Sequence, residues 1–108
     1  IRDRASADHL IKSYARTYKL DTVISNCCNN YGPYQFPEKL IPKTIINAIR
    51  GNKLPIYGTG SQIRDWLHVR DHNIALLSVL ENGKTGNTYN VGSCNEKQNI
   101  EIVLLICE

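Results

Sequence analysis

Thr22-Val23-Ile24-Ser25, then Asn26-Cys27-Cys28-Asn29-Asn30-Tyr31-Gly32-Pro33, then Glu38-Lys39-Leu40-Ile41-Pro42: this succession decides the fold class. The first four residues are β-branched enough for a strand. Residues 26–37, rich in Asn, Tyr, Gly and Pro, read as a loop leaving that strand. From Glu38 to about Arg50 the spacing is helical, with Leu40, Ile41, Thr44, Ile45 and Ala48 on one face. Pro42 fits the first turns, where a missing N–H costs little, and Gly51 supplies the stop. Strand, loop and helix in that order form the unit of an α/β fold.

Upstream, Ala7, Leu10, Ile11, Tyr14, Ala15 and Tyr18 predict a helix over residues 5–19. Downstream, Pro55-Ile56-Tyr57 reads as a short extended piece ended by Gly58-Thr59-Gly60. Arg64 to Val69 reads as a strand, and Asp71 to Leu80 as a helix stopped by Asn82-Gly83. Thr88 to Gly92 reads as a last strand, and a helix starts at Ile100. Strands this few and short predict that the main sheet lies largely in sequence beyond these residues. The chain has no Met and stops at Leu104-Leu105-Ile106-Cys107-Glu108 inside an apolar pattern, so a piece of a longer protein is expected.

Composition narrows the function classes. Apolar residues at 42% and charged residues at 21% are ordinary for a globular domain. The net charge of +3, with basic residues scattered among acidic ones, gives no footing for nucleic acid. No apolar run approaches the roughly 20 residues a bilayer requires, and no leader pattern is present, so neither membrane nor secretion is expected. Cys27, Cys28, Cys94 and Cys107 form no Cys-x-x-Cys pair and are expected as free thiols in a reducing compartment. His9, His68 and His72 lack metal spacing; no metal is expected, and His9 and His72 are read as structural.

Three places carry potential chemistry. In α/β sheets ligands meet the loops at the carboxyl ends of strands. Asn29 and Asn30 lie there, and their amides suit sugar hydroxyls or a carboxamide, or else the loop merely supplies turn geometry. Lys39 at a helix start suits a phosphate, or else is a solvated surface residue. Arg64, in a segment apolar enough to be buried, suits a diphosphate; a structural ion pair with Asp65 or Asp71 is the alternative. Tyr57 stacks on a base or packs. There is no Gly-rich dinucleotide fingerprint and no nucleophile motif.

Longer stretches go further. Ala5-Ser6-Ala7-Asp8-His9-Leu10, Asn29 through Pro42, Pro55-Ile56-Tyr57-Gly58, Gln62-Ile63-Arg64-Asp65-Trp66-Leu67 and Gly86-Asn87-Thr88-Tyr89-Asn90 resemble the dTDP-glucose 4,6-dehydratases. These are nucleotide-sugar enzymes of the extended short-chain dehydrogenase/reductase family. The resemblance spans essentially the whole chain. It implies a partial extended Rossmann-like α/β fold in which residues 1–108 comprise the last part of an NAD-binding domain and most of a nucleotide-sugar-binding C-terminal domain. The dinucleotide-binding N-terminal part would lie outside this sequence. The parent would be a cytoplasmic homodimer. It would oxidise dTDP-glucose at C4 with NAD⁺, eliminate water across C5 and C6, and return the hydride to C6, giving dTDP-4-keto-6-deoxyglucose.

By the same resemblance, Asn29, Lys39, Leu40 and Asn99 would contact substrate, Pro55, Ile56 and Tyr57 would bracket the base, and Arg64 would hold the diphosphate. Asn30 and Arg4 would contact the cofactor. The family's catalytic Tyr would precede Ile1, and Arg4 stands where the family has Lys, so no catalytic residue is expected in the chain, which would be inactive alone. His68 and Arg70 also depart from the family's usual Tyr and Glu. Rival readings are another NAD-dependent nucleotide-sugar dehydratase or epimerase, a non-catalytic sugar-nucleotide-binding module, and a piece that associates with copies of itself through exposed strand edges.

Overall fold

The computed structural model describes the backbone of residues 2–108 and the side chains of residues 4–108. In chain order the elements are α1 (Arg2–Tyr18), β1 (Ile24–Cys27), β2 (Asn29–Tyr31), α2 (Leu40–Ile49), β3 (Ile63–His68), α3 (Val69–Asn82), β4 (Thr88–Val91), β5 (Glu96–Gln98) and α4 (Asn99–Cys107). The chain divides into two compact units: Ile1–Cys27 with Asn73–Val91, and Cys28–His72 with Gly92–Glu108.

The first unit is built on β1 and β4, which pair in parallel with Ile24 opposite Thr88 and Cys27 opposite Val91. Main-chain bonds brace the ends of this pair: Gly86 N–H to Thr22 O at 2.7 Å and Ile24 N–H to Asn87 O at 3.0 Å. Asp21 accepts a bond from the Thr85 hydroxyl beside them. Ile24 is buried here, whereas Leu10, Ile11, Tyr14 and Tyr18 leave an apolar face of α1 exposed. Parallel strands are ordinarily buried on both faces.

The second unit holds a three-stranded sheet in the order β2-β3-β5, parallel between β2 and β3 and antiparallel between β3 and β5. Its core is Trp66 and Leu67 from β3, Ile102 and Val103 from α4, and Thr44 from α2. Helix α4 starts with a capping box: the Gln98 N–H donates to Glu101 Oε2 at 2.6 Å. Close packing fixes the turn after β2, since a Cβ on Gly32 would stand 2.5 Å from Val69 Cγ1.

The alternation of strands and helices agrees with the α/β reading, with local corrections. Residues 26–37 are not one loop: β1 runs to Cys27, and Asn29-Asn30-Tyr31 become β2 because β3 offers a parallel ladder. β5, short and charged, was not foreseen. Pro55-Ile56-Tyr57, expected as an extended piece rather than a sheet strand, joins no sheet; Pro55 has no N–H to give a ladder. Helix α2 begins at Leu40, because Lys39 N–H closes a turn onto Phe36 O at 3.1 Å. No helix among the described residues is long and apolar enough to cross a membrane.

Candidate functional site

Side chains alternate across a strand, and partners directly opposite in a ladder share a face. Asn29 is opposite Trp66, Tyr31 opposite His68 and Arg64 opposite Lys97, so all six lie on one face of the β2-β3-β5 sheet. The Tyr31 and His68 rings meet edge to face there at 5.3 Å. Asn30 takes the other face with Asp65 and Leu67. The two neighbouring asparagines thus serve opposite sides of the sheet.

On the first face Tyr31, Trp66 and Lys97 line a cavity of about 240 Å³, closed by Ile41, Ile102 and Leu105. Trp66 is buried, and its indole N–H has no hydrogen-bond partner among the described residues. Arg64 is exposed rather than buried, and among the described residues its guanidinium donates only to Ile63 O, at 3.1 Å. The ion pair with Asp65 is not formed, because consecutive strand residues point to opposite faces. Two cations, Arg64 and Lys97, therefore stand in register without a carboxylate between them, an arrangement that favours an anion.

On the second face Asp65 is committed to loop 92–95. It accepts from the Ser93 hydroxyl at 2.6 Å, the Ser93 N–H at 2.9 Å and the Asn95 N–H at 2.9 Å. Those donors, the Ser93 hydroxyl foremost, hold its carboxyl well below the usual carboxylate range. Burial pushes the Cys28 thiol up, and its hydrogen bond to Asp65 and that carboxylate's charge push it further. The Ser93 hydroxyl oxygen also lies 2.7 Å from Trp66 O, a second acceptor competing for its single proton. A Cβ on Gly92 would stand 2.8 Å from Asp65 Oδ2.

Asn30 meets both His72 and Gln35. Its Nδ2 lies 2.7 Å from His72 Nδ1, and the Gln35 amide donates to its carbonyl oxygen at 2.9 Å. With the Asn30 amide donating, the His72 ring keeps its own proton on Nε2, which is buried and lacks a partner among the described residues. A buried donor left in that state costs about 1–3 kcal/mol. Beside this group lies a cavity of about 220 Å³ lined by Asn30, Tyr31, Tyr34, Gln35 and Val69.

A third group gathers the remaining residues of the second unit. Lys39 caps α2 in extended conformation with no side-chain cap, so the first amides of the helix stay open, and Leu40 follows half-buried. One turn on, Lys43 donates to the Tyr57 hydroxyl at 3.0 Å. The turn after Tyr57 is pinned by Gly60, where a Cβ would meet Ile56 Cγ2 at 3.0 Å and Ile100 Cβ at 3.1 Å. Asn99 N–H donates to Gln62 O and Ile100 N–H to Gly60 O, each at 3.0 Å. The structure so brings together the start of α2, the Ile56-Tyr57 segment with half-buried Pro55, and Asn99 at the start of α4. Arg4 lies exposed on α1 in the first unit, and Ile1 is outside the described residues.

Sequence reasoning missed Lys43, Gln35, Ser93 and the bonding of Asp65 and His72. Lys43 was accessible from its i, i+4 spacing to Lys39 and Gln35 lies only five residues from its partner, whereas the others depend on contacts between distant stretches. As for a cofactor, the fixed carboxamide of Asn30 suits a polar contact with NAD, while the described residues include no Gly-rich strand-to-helix turn for its pyrophosphate.

Comparison with known proteins identifies the fold and family. The chain is 60% identical over 105 residues to dTDP-glucose 4,6-dehydratase 1 of Escherichia coli K12, covering 97% of this chain and 29% of that protein. It superposes on the dTDP-glucose 4,6-dehydratase of Bacillus anthracis, solved in complex with NAD, with TM-score 0.90 and 53% identity over 94% of this chain and 33% of that one. The Streptomyces venezuelae dTDP-glucose 4,6-dehydratase gives TM-score 0.91 at 44% identity, covering 94% and 32%. The chain thus spans under a third of the length of these relatives, and its fold is part of their extended Rossmann-like α/β fold. The family model described as the NAD dependent epimerase/dehydratase family matches residues 2–92, and the chain belongs to that family.

Proposed function

We propose that this chain is part of an NAD-dependent dTDP-glucose 4,6-dehydratase, a hydro-lyase, and supplies most of its nucleotide-sugar site. The 60% identity to the E. coli enzyme across 97% of the chain carries the reading. The opposite-facing asparagines support it: Asn29 shares a face with Arg64 and turns to substrate, while Asn30 turns to the cofactor. Arg64, with Lys97 in register, holds the diphosphate by charge-assisted bonds. Lys39 and Leu40 at the open start of α2 line the same substrate. Pro55, Ile56 and Tyr57 bracket the base, Tyr57 steadied by Lys43. Asn99 adds a polar contact, its Oδ1 being buried and without a partner. Arg4 adds a positive charge at the cofactor ribose. Bound NAD supplies the hydride acceptor and donor for the sugar.

In this reading residues 1–108 comprise the end of the NAD-binding domain and most of the sugar-nucleotide domain, and the chain alone performs no turnover. The parent works in the cytoplasm as a homodimer; the exposed apolar face of α1 supports the second point. The test is titration of the chain with dTDP and then UDP, following Trp66 fluorescence. Saturable quenching, weaker with UDP and reduced about tenfold or more in Arg64→Ala, is expected. A flat response from the folded chain, or equal affinity in Arg64→Ala, overturns the assignment of this face to the nucleotide.

A further inference from the structure

An asparagine carboxamide offers a donor on one side and an acceptor on the other, and its terminal torsion is broad and roughly two-fold. A ligand meeting Asn30 reads a defined group only if something stops the amide from turning. The Gln35 bond goes to the main-chain carbonyl oxygen of Asn30 and anchors the backbone, not the carboxamide. The carboxamide itself is met by His72, 42 residues away in sequence, whose Nδ1 sits 2.7 Å from Asn30 Nδ2.

His72 is well placed to act as a fixed reference. It belongs to the first turn of α3, whose start is set by the contact of Val69 with Gly32 and by the Arg70 N–H donating to His68 Nδ1 at 3.2 Å. Its ring is half-buried, and its Nε2 is buried with no partner among the described residues. An imidazole kept in place at the expense of a buried unpartnered nitrogen calls for a role, because most buried polar atoms are satisfied.

We propose that His72 is a positioning residue: by accepting one hydrogen from the Asn30 carboxamide it fixes which way that amide faces its ligand. A functional consequence rests on the reading of Asn30 as a cofactor contact; the orientation itself does not. The relation follows the pattern of an outer partner fixing the group that touches the ligand.

Nuclear magnetic resonance of the ¹⁵N-labelled chain tests this. The wild type should show scalar coupling between Asn30 Nδ2 and His72 Nδ1 across the hydrogen bond. The bonded amide hydrogen should exchange roughly fivefold more slowly than its geminal partner. His72→Phe should lose both signals while the main-chain amides of β2 and β3 stay in place, and His72→Gln, which keeps an acceptor, should restore the slow exchange. Absence of coupling and protection in the wild type overturns the proposal, whatever the variants do. Added NAD separates the two readings. A shift of the Asn30 amide in the wild type that shrinks in His72→Phe supports the positioning role in binding, and an equal shift in both overturns it. No shift in either, with the coupling intact, leaves the orientation by His72 standing and removes Asn30 from the cofactor contacts.

Discussion

Asp65 receives both the hydroxyl and the main-chain N–H of Ser93, at 2.6 and 2.9 Å, one on each carboxylate oxygen. This chelate ties loop 92–95 to the middle strand of the sheet and holds the carboxyl well below its usual range. A carboxyl depressed in the folded state stabilises above its unfolded pKa of about 3.9, and that contribution is lost as pH falls through the folded value. Urea unfolding from pH 7 down to pH 2 should therefore show a loss of stability beginning near pH 4 that is smaller in Asp65→Asn. Identical pH profiles for the two chains would remove Asp65 from the acid response.

Gly32→Ala should destabilise the chain by about 1–3 kcal/mol, because its Cβ would meet Val69 Cγ1 at 2.5 Å. Val69→Ala in the same chain should recover part of the loss by opening that space. Thermal melts of the single and double variants read the coupling directly.

Leu67, 6% exposed near the end of β3, stands opposite Asn30 of β2. Leu67→Ala should cost about 2–5 kcal/mol. Denaturant titration of the second unit's Trp66 signal measures it.

Arg64→Ala should leave stability within about 0.5 kcal/mol of wild type, since among the described residues the exposed guanidinium bonds only to Ile63 O. Its effect should appear instead with inorganic pyrophosphate as ligand, as a weaker and less salt-sensitive interaction. A large drop in melting temperature would reassign Arg64 to the framework.

What was legible in the sequence was local. The apolar face of α2 and its stop at Gly51 carry their own periodicity and could be read without partners; Thr22-Val23-Ile24 announced a strand by propensity, although β1 itself runs from Ile24 to Cys27. β2 could not: Asn29-Asn30-Tyr31 has no strand pattern and pairs only because β3 lies alongside. The pairing of Arg64 with Asp65 looked natural in a linear sequence, but the pleat turns them apart and gives Asp65 to Ser93 and Asn95. His72 read as an ordinary helix-start residue because its partner is 42 positions away. The resemblance to dehydratases named Asn30, but not the residue that holds it.

The sheet of the first unit also dictates an order of events. Asp21 and Thr85, bonded at its end, are separated by 64 residues, and most of the second unit lies in the chain between them. Closing so long a loop is entropically costly while that chain is random, and the cost falls once the intervening stretch has collapsed. The β1–β4 ladder is thus a late event in folding. Substitutions in it should mainly accelerate unfolding, whereas those around Leu67 and Trp66 should slow refolding.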